Sequence, residues 1–431
     1  MNDSDSQQDV SRVRVQFPER FQIQWRDAAL DQLIPRDHRV RAVWAYVDAL
    51  DLTPLYRKIQ SVEGGKGRPA VDPRILLALW MFAIIEGVSS ARHLARLCER
   101  DLAYMWICGG VGVNYHLLAD FRTAQGEFLD ELLTDTIATL IHQGIVTLET
   151  VAQDGMRVRA HAGSGSFRRE KSLKKCRQAA AEQVQRLREE SDNESDPEAS
   201  NARRKAAAER AAKERQKRVA AALQELAELQ EQKEQRQKGS GAEARCSTTD
   251  PEARTMKMGD GGFRPAYNVQ FATDGDSRMI VAVDVTNNGS DGGQMTPLHA
   301  EVCERYGKIP RNYTVDGGFA TNDDITTVEQ TGSRVAAPMT HEDRIRTRGG
   351  DPHARRAGDS DEMALFRQRM TTDEARAVLK QRPSIAEFPN AECRNRGLQQ
   401  FRVRGQTKAR TVSLWHAITF NFMRMRHLGV L

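Results

Sequence analysis

Two acidic residues stand directly before glycine, each after a run of apolar and β-branched residues. Asp154 precedes Gly155 after the run 145–153, and Asp316 precedes Gly317 after the run 313–315. Runs of this kind that end at Asp-Gly predict a strand followed by a turn. A carboxylate at such a strand end projects into an open site, where Mg²⁺ is bound by one or two carboxylates, waters and substrate phosphate. The two aspartates therefore predict chemistry at phosphorus.

A third acid on a nearby helix would complete a two-metal site, which stabilises both the attacking and the leaving oxygen of an in-line displacement. The region 382–397 supplies Glu387, and Glu392 further along is a rival. Arg394 follows Glu387 by two helical turns, so both side chains lie on one helix face. A carboxylate that binds metal and a guanidinium further along suit a DNA strand bound along this helix face. The alternative for this region alone is an exposed helix with unpaired charges.

The elements before the first aspartate are predicted to be helical, from about residue 21 to 125. Asp72 before Pro73 is a typical N-cap and first helical position, and it predicts a helix over 74–86. The next helix is predicted to begin at Ser89, which would be its N-cap.

That second helix carries Arg92, Arg96 and Arg100, spaced four residues apart on one face. With the preceding helix and the short turn it indicates a helix-turn-helix whose basic face contacts DNA phosphate. A solvated helix face is the alternative interpretation of the same pattern.

A charged segment over 168–250 separates the first aspartate from the later strands. It is dominated by Ala, Glu, Gln, Lys and Arg, and residues 191–200 form a break rich in Ser and Asp. We expect two long helices that fold back as a coiled hairpin or lie on the surface, with a partly disordered charged insert as the alternative. Residues 1–20 are predicted to be a disordered tail.

Strand patterns return after the insert and alternate with helical ones. This order predicts an α/β catalytic domain with a mixed sheet over 126–428, interrupted by the insert. The predicted strands are 266–273, 279–285, the strand of 313–319 that ends in a Gly-rich turn, and 334–337. The predicted helices are 295–306, one starting at 322, 361–380, 385–396 and 411–428.

Composition limits the class of protein. The formal charge of +5 is compatible with a polyanionic partner, and the six cysteines include no CxxC pair, so no zinc site or disulfide framework is indicated. The N-terminus lacks a secretory pattern, and the longest apolar run, 75–85, is too short to cross a bilayer. We expect a protein of a reducing cytoplasm that does not enter membranes.

The motifs together resemble a known family. The segment 154–163 (DGMRVRAHAG), the segment 313–319 (YTVDGGF) and the stretch 382–405 look like the DDE transposases of bacterial insertion sequences. The N-terminal segments 33–38 (LIPRDH), 71–74 (VDPR) and 119–122 (ADFR) resemble the branch with a charged helical insert after the first aspartate. The resemblance runs from about residue 17 to 428.

The resemblance implies a ribonuclease-H-like catalytic domain that binds two Mg²⁺ ions, for which Mn²⁺ can substitute. It carries the three acidic ligands over to Asp154, Asp316 and Glu387. It implies that a water attacks the phosphodiester at the element end, and that the freed 3′-hydroxyl then attacks target DNA. The basic residue that follows the glutamate in the family is Arg394 here.

The chain departs from the family pattern before and after the glutamate. Lys380 stands where a tyrosine is common and Pro383 where an arginine is common, although Arg382 is adjacent and can substitute. Pro389 is hostile to a mid-helix position, so Glu387 is expected in the first turn of its helix or just before it.

The implied partners are double-stranded DNA carrying the element's terminal inverted repeats, and target DNA, bound by a homodimer or larger assembly in the nucleoid. The predicted DNA-contact residues are Arg92, Arg96, Arg157, Arg159, Arg394, Arg396, Arg404 and Lys408. Three alternatives remain open: a nuclease of the same fold that does not join strands, an inactive DNA-binding remnant, and a coiled-coil interaction protein. The last explains only the insert.

Overall fold

The computed structural model describes residues 28–61, 69–192, 199–339 and 342–431. The predicted tail over 1–20 and most of the predicted break over 191–200 lie outside these residues. Within them the chain is a mixed α/β protein whose helices pack around a six-stranded sheet.

The first part of the chain is helical, as predicted. Its helices are α1 (Arg39–Asp48), α2 (Thr53–Tyr56), α3 (Pro73–Ile85), α4 (Ala91–Arg100), α5 (Leu102–Cys108), α6 (Tyr115–Ala124) and α7 (Gly126–His142). The predicted cap of α3 is confirmed, because the Asp72 carboxylate accepts the backbone N–H of Arg74 at 2.8 Å. Ser90, one residue after the predicted Ser89, caps α4 by accepting from the backbone N–H of His93.

The remainder of the chain alternates strands and helices. In order it forms β1 (Thr150–Arg159), β2 (Phe167–Arg168), α8 (Glu170–Asp192), α9 (Ala199–Arg236), β3 (Cys246–Ser247), β4 (Arg254–Lys257), β5 (Phe263–Asp274), β6 (Ile280–Thr286), α10 (Met295–Tyr306), β7 (Asn312–Thr314), α11 (Asn322–Gln330), β8 (Arg334–Ala336), α12 (Glu342–Thr347), α13 (Asp361–Arg369), α14 (Asp373–Asn395) and α15 (Gln406–His427).

The main sheet is mixed. β5 pairs antiparallel with β1 on one edge and with β4 and β6 on the other. On its far side β1 pairs parallel with β7, and β7 pairs parallel with β8. The central strand β1 therefore joins an antiparallel half to a parallel half.

The prediction that β1 ends at Asp154 is wrong. The strand starts later than predicted, because Gly144 and Leu148 adopt positive φ values of 72° and 54° and redirect the chain before it. It then continues past Asp154 to Arg159, since Met156 and Val158 are fully buried in the sheet opposite β5. Asp154 is thus a mid-strand residue.

The predicted break between residues 380 and 385 is also wrong. α14 runs unbroken through Pro383 and Pro389, and Glu387 lies in its middle rather than in its first turn. Each interior proline costs about 3 kcal/mol in lost hydrogen bonding and backbone clash. Burial offsets this cost, because Ile385 and Ala386 pack on Ala152 of β1.

The charged insert forms the predicted helical hairpin. α8 and α9 pack on each other with a small core of their own, made of Leu173, Ala222, Leu226, Ala244 and Cys246. The two-stranded sheet of β2 and β3 closes its base, and the Glu225 carboxylate on α9 lies 2.5 Å from the Arg254 guanidinium of β4.

The helices of the first part share one hydrophobic core with the sheet, and α15 is at its centre. Trp415 donates from its indole N–H to the backbone carbonyl of Arg122 at 3.0 Å. On its other side Asn421 exchanges two hydrogen bonds with the backbone of Ile280 in β6, at 2.9 and 2.8 Å. None of the helices described is long and apolar enough to cross a lipid bilayer.

Candidate active site

Of the two aspartates predicted from sequence, Asp154 lies within β1 and Asp316 lies two residues past the end of the neighbouring parallel strand β7. β1 and β7 pair Thr150 with Asn312 and Ala152 with Thr314. The same register carried two residues further places Asp154 opposite Asp316. Adjacent strands lie about 4.8 Å apart, and residues paired in register point to the same face of the sheet. Continued past the end of β7, this register puts the two carboxylates on the same face of the sheet.

Asp154 is partly buried between the sheet and α14. Its Oδ1 accepts the backbone N–H of Gly155 at 2.9 Å, and its Oδ2 accepts the side-chain N–H of Asn390 at 2.9 Å. Burial raises the pKa of the Asp154 carboxyl, while the Arg382 guanidinium acts in the opposite direction. The carboxylate is therefore hydrogen-bonded to α14, and the positive charge of Arg382 does not fully offset the effect of burial on its pKa.

Asp316 lies just past the end of β7, as predicted, and is exposed. Its Oδ1 accepts the backbone N–H of Gly317 at 2.5 Å. The backbone N–H of Phe319 donates to the Asp316 carbonyl at 3.0 Å and closes the predicted glycine turn. This carboxylate is open to solvent and to a ligand.

Glu387 is exposed on α14, one helical turn before Asn390. The Arg382 guanidinium lies 3.7 Å from its carboxylate. The Arg382 side chain is only 12% exposed, and its Nη1 is buried without a hydrogen-bond partner. Because its charge also acts on Asp154, Arg382 links the two acids electrostatically.

The rival acid Glu392 has a different environment. Its carboxylate accepts from the Arg396 guanidinium at 2.9 Å, and Arg396 also donates to the backbone carbonyl of Ile85 at 2.9 Å. Asn390 marks the side of α14 that faces Asp154, and a residue two positions later points to the other side of a helix. A residue three positions earlier, as Glu387 is, lies on the same side.

The donor chemistry fits a hard divalent cation. Asp154 and Asp316 provide carboxylate oxygens from two strands, and the side-chain carbonyl oxygen of Asn390 is buried without a partner beside them. Such oxygen ligands suit Mg²⁺. Among the residues described, however, no three His, Cys, Asp or Glu side chains are close enough to form a complete metal site. Asp154 and Asp316 therefore offer carboxylates from neighbouring strands, and Glu387 lies one helical turn before Asn390, which bonds Asp154.

Five of the predicted DNA-contact residues have side chains exposed to solvent. They are Arg92, Arg96, Arg159, Arg394 and Lys408. The Arg92 guanidinium lies over the Tyr115 ring, 5.0 Å from its centroid. The end of α14 meets the turn before α4, because a Cβ on Gly397 would lie 3.3 Å from the Gly87 carbonyl oxygen. The chain at the end of α14, the helix of Glu387, therefore packs against the turn before α4, the helix of Arg92.

The other three predicted contact residues make bonds within the protein. Arg157 donates to the Asp291 carboxylate at 2.8 Å, and Arg404 lies 3.9 Å from the Glu214 carboxylate of the insert. Arg396 makes the bonds to α3 and to Glu392 described above.

Sequence reasoning missed two residues that the fold brings to this region, Asn390 and Asp291. The spacing of Asn390, one turn after Glu387, was an available signal. Asp291 precedes Gly292 and Gly293, so it shares the Asp-Gly pattern of the other two aspartates. That pattern is unspecific, because Asp260 precedes two glycines as well.

Comparison with known proteins places the N-terminal part of the chain. Residues 28–124, which contain α1 to α6, match the family described as Transposase domain (DUF772). No curated protein matches the chain. No solved structure matches it either. The N-terminal part of the chain is therefore similar to a transposase domain.

Proposed function

We propose that the protein is a DDE transposase that cleaves insertion-sequence DNA ends and joins them to target DNA. The observation that carries the proposal is the parallel register of β1 and β7, which, continued past the end of β7, sets Asp154 opposite Asp316, with α14 packed on the same face. Paired carboxylates at one sheet edge are suited to metal-dependent phosphoryl transfer. The transposase domain at residues 28–124 supports the same substrate class.

The sheet supports a ribonuclease-H-like catalytic domain. Four of its strand pairings give the order β6-β5-β1-β7-β8, antiparallel on the first side of β1 and parallel on the other. The family expectation puts the first aspartate on the first strand, the second after the fourth strand and the glutamate on a later helix. Counting β1, β5, β6, β7 and β8 as the five strands gives that arrangement for Asp154, Asp316 and Glu387.

The side chains have distinct roles in this proposal. Asp154 and Asp316 would hold the cations with Glu387 as the third ligand, and Asn390 orients Asp154 through its 2.9 Å hydrogen bond. Arg382, which is mostly buried between Asp154 and Glu387, neutralises charge on the reacting phosphate. Two Mg²⁺ ions, or Mn²⁺ in their place, would polarise that phosphate and lower the pKa of the attacking water.

The reaction has two displacements at phosphorus. Water attacks the phosphodiester at the element end, and the bond to the 3′ oxygen breaks to give a 3′-hydroxyl. That hydroxyl then attacks a target phosphodiester and displaces a second 3′ oxygen. No protein side chain is a nucleophile in either step, so no covalent protein–DNA intermediate forms.

The DNA partner is double-stranded and is bound through phosphate. The exposed arginines on α4 and at the end of α14 border the two connected helices and provide the cations that phosphate contact requires. Bringing two terminal inverted repeats together calls for a homodimer or larger assembly on DNA in the nucleoid.

The test is cleavage of labelled element-end DNA by the purified protein with Mg²⁺ or Mn²⁺. We expect 3′-end cleavage that disappears in Asp154→Ala, Asp316→Ala and Glu387→Ala while DNA binding persists. Asp276→Ala is the matched control. This aspartate accepts a hydrogen bond from Thr147, which precedes β1 at the end of the strand far from Asp154.

Three results would overturn parts of the proposal. Binding of the ends without any cleavage would favour an inactive DNA-binding protein. Cleavage without joining of pre-cut ends to target DNA would favour a nuclease. Activity retained in Glu387→Ala but lost in Glu392→Ala would move the third ligand to Glu392.

A further inference from the structure

Asp291 lies in the loop between β6 and α10 and is held by three side chains. Its Oδ1 accepts from Asn268 at 2.7 Å and from Gln270 at 3.2 Å, and its Oδ2 accepts from Arg157 at 2.8 Å. Its own side chain is only 13% exposed. The donors come from β1 and β5, so the loop carboxylate is fixed on the sheet at the level of the catalytic pair.

The Asp291 carboxylate approaches Gly155 so closely that a side chain at this position would have to displace it. A Cβ at this position would lie 2.5 Å from Oδ1 of Asp291 and 2.7 Å from the Gln270 amide nitrogen. Gly155 is paired with Gln270 in the sheet and does not have a positive φ. The glycine after Asp154 is therefore required by the approach of Asp291 and not by a turn.

The same carboxylate also reaches the segment that follows the second aspartate. A Cβ on Gly318 would lie 3.7 Å from Oδ2 of Asp291 and 3.9 Å from its Cβ. Asp291 thus lies against the residue after Asp154 and against the turn after Asp316. These two segments carry the two aspartates, and the Asp291 side chain lies between them.

We propose that Asp291 is a positioning residue for the catalytic aspartates. It fixes Gly155 and Gly318, and through them it sets the separation of the Asp154 and Asp316 carboxylates. Side chains alternate along a strand, so Asp154 points to the α14 face while Asp291 supports the strand from the opposite face. This inference rests on the proposed function, because it assigns a support to the proposed metal ligands.

The test measures Mn²⁺ binding directly, by electron paramagnetic resonance of the free ion, without relying on DNA cleavage. Asp291→Asn keeps the shape of the side chain but places an amide against three donors, so Gly155 and Gly318 lose their fixed support. We expect the dissociation constant for Mn²⁺ to rise about 10-fold, the lower end of the effect of removing a partner behind a metal ligand. Asn268→Ala, which removes the 2.7 Å bond and keeps the carboxylate, should raise it less but in the same direction.

Asp274→Asn is the matched control. This buried aspartate, the last residue of β5, also accepts three hydrogen bonds, from Leu148 and from the backbone and hydroxyl of Ser277, but it lies at the far end of β1. It should lower the melting temperature and leave Mn²⁺ affinity unchanged.

The outcomes separate the two proposals. Mn²⁺ binding that is lost in Asp154→Ala but unchanged in both Asp291→Asn and Asn268→Ala overturns the role of Asp291 alone. If Asp291→Asn does not fold, wild-type affinity in Asn268→Ala is sufficient to overturn it. Wild-type protein that binds no Mn²⁺, with or without element-end DNA, overturns the proposed function and this inference together.

Discussion

The side-chain amide of Asn390 donates a 2.9 Å hydrogen bond to Oδ2 of Asp154 and joins α14 to the central strand β1. The two residues are far apart in sequence, and α14 reaches this position only by continuing through two prolines. The bond orients one carboxylate oxygen and leaves the other on the backbone N–H of Gly155. Asp154 is therefore preorganised by the helix that carries Glu387.

Replacing Asn390 by alanine tests that preorganisation. We expect cleavage of element-end DNA to fall about 10- to 100-fold, because partners that orient a metal ligand have effects of that size. DNA affinity should be unchanged. Asn395→Ala, an exposed residue on the same helix, is the control and should cleave at the wild-type rate. Equal rates for the two variants would contradict the role of Asn390.

Replacing Arg382 should affect Mn²⁺ binding and DNA cleavage differently. Arg382→Gln removes a positive charge next to Asp154, so Mn²⁺ should bind at least as tightly as it does to wild type. Cleavage should nevertheless fall about 100-fold, because a fixed cation that stabilises transition-state charge is lost. Weaker Mn²⁺ binding together with slower cleavage would show instead that Arg382 only maintains the local structure.

The basic face of α4 is tested by the salt dependence of DNA binding. Arg96→Ala should weaken binding to all duplexes and reduce the slope of log affinity against log salt concentration by about 0.9. Arg376→Ala, an equally exposed arginine at the start of α14, should leave the slope unchanged. An unchanged slope in Arg96→Ala would favour the solvated-face interpretation of α4.

His416 makes the fold sensitive to acid. Burial, and then the nearby Arg122 and Arg396 guanidinium groups, lower the pKa of its imidazole from 6.5 to about 3. The folded state therefore binds fewer protons than the unfolded state, so stability is lost as the pH falls from 6.5 toward 3. The expected loss is about 1.4 kcal/mol per pH unit in this window.

Urea unfolding at pH 6.5 and pH 4.5 checks this prediction. His416→Gln should lose about 2–3 kcal/mol less than wild type between these two pH values. His427→Gln, which alters an exposed histidine at the end of the same helix, should behave as wild type does. The same acid sensitivity in His416→Gln and wild type would refute the assignment.

Local patterns predicted the parts of the fold that local physics decides. The cap at Asp72, the charged helical hairpin and the strand before Asp316 follow from residue types within a few positions of one another. The register of β1 against β7 could not be predicted from the sequence, because it depends on pairing between segments separated by the whole insert.

The errors share a physical cause. Gly155 was interpreted as a turn residue, whereas it is a strand residue kept free of a side chain by Asp291. Pro389 was interpreted as marking the first turn of a helix, whereas burial against the sheet maintains a longer helix through it. In both cases a tertiary contact overrides the ordinary local meaning of the residue.

The helical hairpin has its own core and a narrow base, and this separation has an evolutionary consequence. α9 alone has 38 residues, which corresponds to a rod of about 57 Å at 1.5 Å per residue. Because the hairpin core does not merge with the core around the sheet, whole turns can be added or removed at its tip while β1 and the carboxylates stay in place. The length of the hairpin can therefore change during evolution without altering the carboxylates in proteins with this fold.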